Sequence, residues 1–109
     1  MSIPAAAAQS VCALLKNWSI EMTAKDVPHL EAAADLIPKG TKIPVTFLPG
    51  ETFEMRIAAA KRVKELGFLP IPHISARRLQ SQEELESFLG GLQREVGTDH
   101  AFVVAGDPP

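Results

Sequence analysis

Four polar residues, Glu21, Thr46, His73 and Asp107, stand at or just past the ends of four short apolar runs, each about one strand–helix unit from the next. A carboxylate, a hydroxyl, an imidazole and a second carboxylate can move protons and hold a polar ligand. Each also has a plainer account. Glu21 reads equally as a solvated edge charge, Thr46 as an ordinary strand former, His73 as a hydrogen-bonded core histidine, and Asp107 as a turn residue before two prolines. Together they do not identify a reaction. Their shared position matters because parallel α/β proteins gather their functional groups beyond the carboxyl ends of the strands.

The elements that would position these residues follow from the apolar periodicity. Residues 4–17 read as a helix, with Pro4 at its start and Val11, Leu14 and Leu15 on one face. Trp18–Met22 reads as a first strand. Asp26 is the expected N-cap of the next helix, with Pro28 in its first turn, a stripe of Leu30, Ala33, Ala34 and Ile37, and a stop at Pro38-Lys39-Gly40. Lys42–Leu48 is the second strand, turned by Pro49-Gly50. Thr52 opens a helix with the stripe Phe53, Ile57, Ala60, Val63 and Leu66, ended by Gly67.

Phe68–Ser75 is apolar on both alternating faces, as in a strand covered on both sides, although Pro70 and Pro72 cannot donate to a ladder. Ser81-Gln82-Glu83-Glu84 has the pattern of a capping box, followed by a stripe of Leu85, Phe88, Leu89, Leu92 and Val96 that stops at Gly97. Gly90-Gly91 inside that helix costs about 1 kcal/mol per glycine against alanine, which points to close packing there. His100–Ala105 is the fourth strand. The expected fold is therefore α/β: an N-terminal helix over 1–17, then parallel βα repeats over 18–109. The closure is either an open doubly wound sheet or the first half of a (β/α)₈ TIM barrel, whose full length is about 250 residues.

The chain has 109 residues, enough for one domain, and its 46% hydrophobic and 22% charged content are ordinary for a soluble globular protein. A net charge of −2 gives no electrostatic case for a nucleic-acid partner or an anionic membrane. Cys12 is the one cysteine, which excludes an intramolecular disulfide and fits a reducing compartment; its helical apolar setting suggests a buried structural thiol. There is no basic leader and no run of membrane-spanning length, so a cytoplasmic location is expected. Arg77 and Arg78 read as a solvated loop within reach of an anionic ligand, and Lys61, Arg62, Lys64 and Glu65 as the wet face of a helix. No dinucleotide fingerprint, P-loop or zinc-ligand spacing is present.

In order, the strand-end motifs resemble the amino-terminal half of the methylenetetrahydrofolate reductase family. Ser19-Ile20-Glu21 resembles that family's Ser-Phe-Glu, Val45-Thr46-Phe47 its Val-Thr-Tyr, and Pro72-His73-Ile74-Ser75 its Pro-His-Leu-Thr. Ala105-Gly106-Asp107-Pro108-Pro109 is similar to its Arg-Gly-Asp followed by prolines. The resemblance implies a (β/α)₈ barrel holding FAD and interconverting 5,10-methylenetetrahydrofolate and 5-methyltetrahydrofolate by hydride transfer. It implies that Glu21 is the acid that opens the folate ring, that Asp107 tunes the flavin and holds the pterin, and that Thr46, His73, Val104, Ala105 and Gly106 contact the flavin.

Departures from the family pattern fall at Met22-Thr23-Ala24-Lys25, at Leu48-Pro49-Gly50-Glu51 and at Ala105. They bear on the electron donor, leaving NAD(P)H, another donor or an oxidase direction open. Half a barrel would leave sheet edges unpaired, so completion by further sequence or another chain is expected, with the complete protein a homo-oligomer. Two rival readings keep the same residues: a pterin-using barrel enzyme without flavin, such as a methyltransferase, and a small α/β interaction module without catalysis.

Overall fold

The computed structural model describes residues 2–107, so the turn expected over Asp107-Pro108-Pro109 is described only as far as Asp107. Helices α1 (Ala5–Leu14) and α2 (Val27–Ala33) precede strand β1 (Lys42–Val45). Helix α3 (Phe53–Glu65), strand β2 (Leu69–Ser75), helix α4 (Gln82–Glu95) and strand β3 (Phe102–Val104) follow. The three strands form one parallel sheet in the order β1-β2-β3. The chain is thus an α/β protein of βα repeats, with crossover helices joining parallel neighbours.

Trp18–Met22 is not a continuous strand. It touches β1 only through parallel bridges at Ser19–Lys42 and Met22–Val45. The cause lies in Pro44. Ile20 N–H donates to Lys42 O at 3.2 Å, Met22 N–H to Pro44 O at 2.9 Å, and Thr46 N–H to Met22 O at 2.9 Å, so residues 42, 44 and 46 turn their backbone groups toward this segment. Pro44 has no N–H to give, and the ladder is broken between the bridges.

The prolines of β2 are tolerated for the complementary reason. Leu69 N–H points to β1, donating to Thr41 O at 3.0 Å, so strand alternation aims residues 70 and 72 at the other side. There β3 begins only opposite His73, and the Pro70 carbonyl accepts instead from the Thr98 hydroxyl at 3.2 Å. No strand partner faces the missing N–H groups.

The core has two parts on the helix-covered face of the sheet. Met22, Leu30, Ala34, Ile43, Val45, Ala59, Val63 and Phe68 join α2 and α3 to the first bridged segment and β1. Ile57, Ala60, Ile74, Phe88, Leu92 and Val96 join α3 and α4 to β2. Of the expected stripe on α4, Leu89 is exposed. The glycine pair divides. A Cβ on Gly91 would come within 2.6 Å of Ile57 Cδ1, whereas one on Gly90 would meet only the Arg94 guanidinium. Gly90→Ala is therefore expected to raise the melting temperature, by the ~1 kcal/mol of helix propensity, because Arg94 can swing away. Gly91→Ala should lose that gain to overpacking against Ile57 and melt at or below the parent. Thermal unfolding of the two variants checks the contrast.

Several local expectations are corrected. Val11, Leu14 and Leu15 are exposed, no residue of α1 is buried, and Cys12 is exposed rather than a core thiol. Among the described residues, no other element buries the apolar face of α1. Asp26 stands at the N-cap position of α2 as expected, but its side chain does not cap that helix; the carboxylate instead accepts from the Thr23 N–H at 2.8 Å and the Thr23 hydroxyl at 3.0 Å, closing a capping box around a 3₁₀ turn at Ala24–Asp26. Those two bonds, with a smaller contribution from His29, hold the Asp26 carboxyl below its usual range. A depressed carboxyl stabilises the fold above its unfolded pKa and loses that contribution as pH falls through the folded value.

The Ser81 box is half formed. Ser81 Oγ accepts from Glu84 N–H at 3.1 Å, but the Glu84 carboxylate accepts from Gln80 N–H at 2.7 Å and not from Ser81. Thr52 caps α3 as expected, accepting from Met55 N–H at 3.1 Å. Gly67 and Gly97 adopt positive φ at the ends of α3 and α4. Among the described residues no helix is long and apolar enough to cross a membrane.

Candidate functional site

Side chains alternate across a strand, so the positions between the helix-facing Met22, Ile43, Val45 and Ile74 share the opposite face. That face carries Glu21 on the bridged segment, Thr46 just past β1, His73 and Ser75 on β2, and Phe102 and Val104 on β3. Three of the four residues singled out by spacing therefore lie on one face. His73 Nε2 stands 3.6 Å from Glu21 Oε1, reaching across the position of β1. The imidazole is mostly buried, with its ring 5.2 Å from that of Phe102, while the Glu21 side chain is 57% exposed and open to a ligand.

Beyond the carboxyl ends of β1, β2 and β3 lies an open cavity of about 230 Å³, lined among others by Thr46, His73, Ser75, Val104, Gly106 and Asp107. Thr46 Oγ1 is buried and has no hydrogen-bond partner among the described residues. A buried hydroxyl without a partner is costly, and one at a cavity edge is a place for a ligand's polar atom. Asp107 is exposed at this cavity. Glu21 and Ala105 do not line it.

Gly106 is required where it stands. Its φ is +81°, and a Cβ there would fall inside the Ser75 hydroxyl. The turn after β2 fixes this corner, since Arg77 N–H donates to Ala105 O at 2.9 Å and Arg77 Nη1 to Gly106 O at 3.1 Å. Arg77 is thus a structural clamp on the end of β3. Ser75, 3% exposed, completes the site, and the sequence reading had used it only as part of a motif.

The structure adds a buried ion pair that sequence reasoning missed. Glu51 Oε1 and Arg56 Nε are 3.7 Å apart, with side chains only 2% and 6% exposed. Glu51 also accepts from Leu48 N–H at 3.0 Å and Ala24 N–H at 3.2 Å, tying both loops to the start of α3. The Arg56 guanidinium donates to Leu48 O at 2.6 Å and lies 3.5 Å from the centre of the Phe47 ring. Burial pushes its pKa down, and the Glu51 charge opposes that shift. One signal was available: Arg56 follows Phe53 by three residues and precedes Ala60 by four, on the apolar stripe of α3.

A second cavity of about 280 Å³ opens beside this pair and shares Phe47, Pro49 and Arg78 with the first. No protein-family model matches the chain.

Proposed function

We propose that this chain supplies half of a (β/α)₈ barrel whose rim binds FAD and a folate, interconverting 5,10-methylenetetrahydrofolate and 5-methyltetrahydrofolate. The observation that carries the reading is the meeting of Thr46, His73 and Asp107 at one cavity beyond the strands, with Glu21 3.6 Å from His73 on the same face of the sheet. Sequential order of the three strands is compatible with a barrel and equally with one half of a doubly wound sheet. Phe102 and Val103 on the edge strand are 54% and 67% exposed, and barrel closure by further sequence or another chain would cover them.

FAD, when bound, supplies the hydride chemistry. Thr46, His73 and the backbone at Val104, Ala105 and Gly106 are the groups that would hold it. The Thr46 hydroxyl lacks a partner of its own, and the corner at Gly106 has no room for a side chain. Glu21 handles the proton that leaves or enters the folate ring, and its exposure keeps it within reach of substrate. NAD(P)H is one candidate donor. The visible spectrum of the full-length protein purified from cells tests the reading: bound flavin absorbs near 450 nm (roughly), and a colourless protein that takes up no added FAD refutes it.

Asp107 is exposed at the cavity edge, where a carboxylate acts on a flavin through its charge. Asp107→Asn should retain FAD, shift the flavin reduction potential and weaken folate turnover. Spectroelectrochemical titration checks this, and an unchanged potential with unchanged turnover would leave Asp107 as a turn residue.

A further inference from the structure

The sheet has four strand positions, with residues 19–22 bridged to β1 at one edge and β3 at the other. Among the described residues nothing pairs with either outer edge. Ile20 and Met22 give their N–H groups to β1, so alternation turns the backbone groups of Glu21 outward. At the far edge Ile74 bonds the residues flanking its partner Val103, which leaves the backbone groups of Val103 outward too. The side chains complement each other in the same way. Ile20 and Val103 lie on the helix-covered face and are 49% and 67% exposed. Beside Ile20 opens an apolar cavity of about 230 Å³, lined among others by Met22, Leu30, Ala33, Ile37 and Ile43. Phe102-Val103-Val104 carries none of the lysines or prolines that normally protect an open edge from pairing.

We propose that a second copy of this chain pairs with both edges at once, β3 of each copy lying parallel to residues 19–22 of the other. Exposure selects the register, because it sets the open Val103 beside the open Ile20 and over the apolar cavity. In that register the Glu21 N–H donates to the Val103 carbonyl across the junction. Four strands are too few to close on themselves, and a single junction would leave two edges open to further copies. A two-fold axis forms both junctions together and gives eight strands, the number of a closed parallel barrel. Val104 of the second copy then flanks the open side of Glu21. The inference rests on the barrel of the function proposed above, but not on its flavin or its folate.

The test uses the full-length protein carrying Cys12→Ser, because Cys12 is exposed and would form disulfides of its own. Light scattering should give a dimer. Oxidising a mixture of Ile20→Cys and Val103→Cys proteins should yield a mixed covalent dimer, since directly paired strand residues lie within disulfide reach. Val103→Lys, at a position open in the single copy, should fold by circular dichroism and raise the dimer dissociation constant ~10-fold or more. The cross-link decides alone should that variant fail to fold. A dimer that forms no mixed disulfide, or that a folded Val103→Lys variant does not weaken, pairs elsewhere and overturns the proposal. A monomer whose Glu21 and Val103 amides resist hydrogen exchange overturns the second copy and leaves the barrel to be closed by the chain itself. Free exchange of both amides in a monomer overturns the barrel as well.

Discussion

Glu21→Gln should lower folate turnover by ~10²-fold or more while leaving flavin content and flavin reduction by an artificial donor intact. The reason is chemical. In the proposed substrate, methylenetetrahydrofolate, the methylene carbon is held by two nitrogens in a neutral ring, and hydride transfer needs the ring opened to a cationic iminium. Opening requires a proton on the departing nitrogen, and in the reverse direction the same group takes it back. A free glutamate, with a pKa of about 4.3, is mostly ionised at neutral pH. A general acid must carry its proton when the substrate is bound. The side chain of Glu21 is 57% exposed and so open to a substrate, with His73 Nε2 3.6 Å from its carboxylate. Glutamine keeps the shape but cannot cycle a proton. Stopped-flow measurement of the two half-reactions separates the steps. Folate turnover by the Gln variant at the parent's rate would remove Glu21 from the acid's role.

Glu51→Gln should destabilise the protein by ~3–5 kcal/mol, the range for breaking a buried ion pair from one side. The variant leaves the Arg56 guanidinium, 6% exposed, without its counter-charge and with an Nε that already lacks a hydrogen bond. Leu48 and Ala24 donate to different oxygens of the carboxylate, and glutamine, with one acceptor oxygen, can keep only one of the two bonds, so a lost hydrogen bond adds to the lost charge. Adding Arg56→Met should restore part of the stability, because methionine can fill the space beside Phe47 and Phe53 without a charge. Denaturant unfolding of the parent, both single variants and the double variant gives the coupling between the two residues. If the single losses simply add, the pair is not a coupled unit. The same substitution should loosen the groove lined by Phe47, Glu51 and Arg78, so ligand affinity would fall along with stability.

The alternation of helix and strand was legible because each element obeys a local rule. Thr52 caps α3 where its side chain meets the first free amides, Gly67 ends it, and Ser81 caps α4. The apolar stripe of α3 named its buried residues Ile57, Ala60 and Val63 directly. Local rules failed where the partner was distant or absent. The stripe of α1 has the right spacing but nothing packs on it, so Val11 and Leu14 stay in water. The ladder at Ser19–Met22 depended on a proline in its neighbour, which a single segment's pattern does not reveal.

The sequence by itself determined the alternation of helix and strand and the placing of Glu21, Thr46 and His73 on one face, since spacing and alternation are properties of the chain. Only the tertiary structure decided which groups meet. It set His73 against Glu21, buried Thr46 Oγ1 without a partner, wedged Gly106 on Ser75, committed Arg77 to the end of β3, and enclosed Glu51 with Arg56. These meetings join residues far apart in sequence. They depend on strand register and on the directions of neighbouring side chains, which no periodicity along the chain encodes.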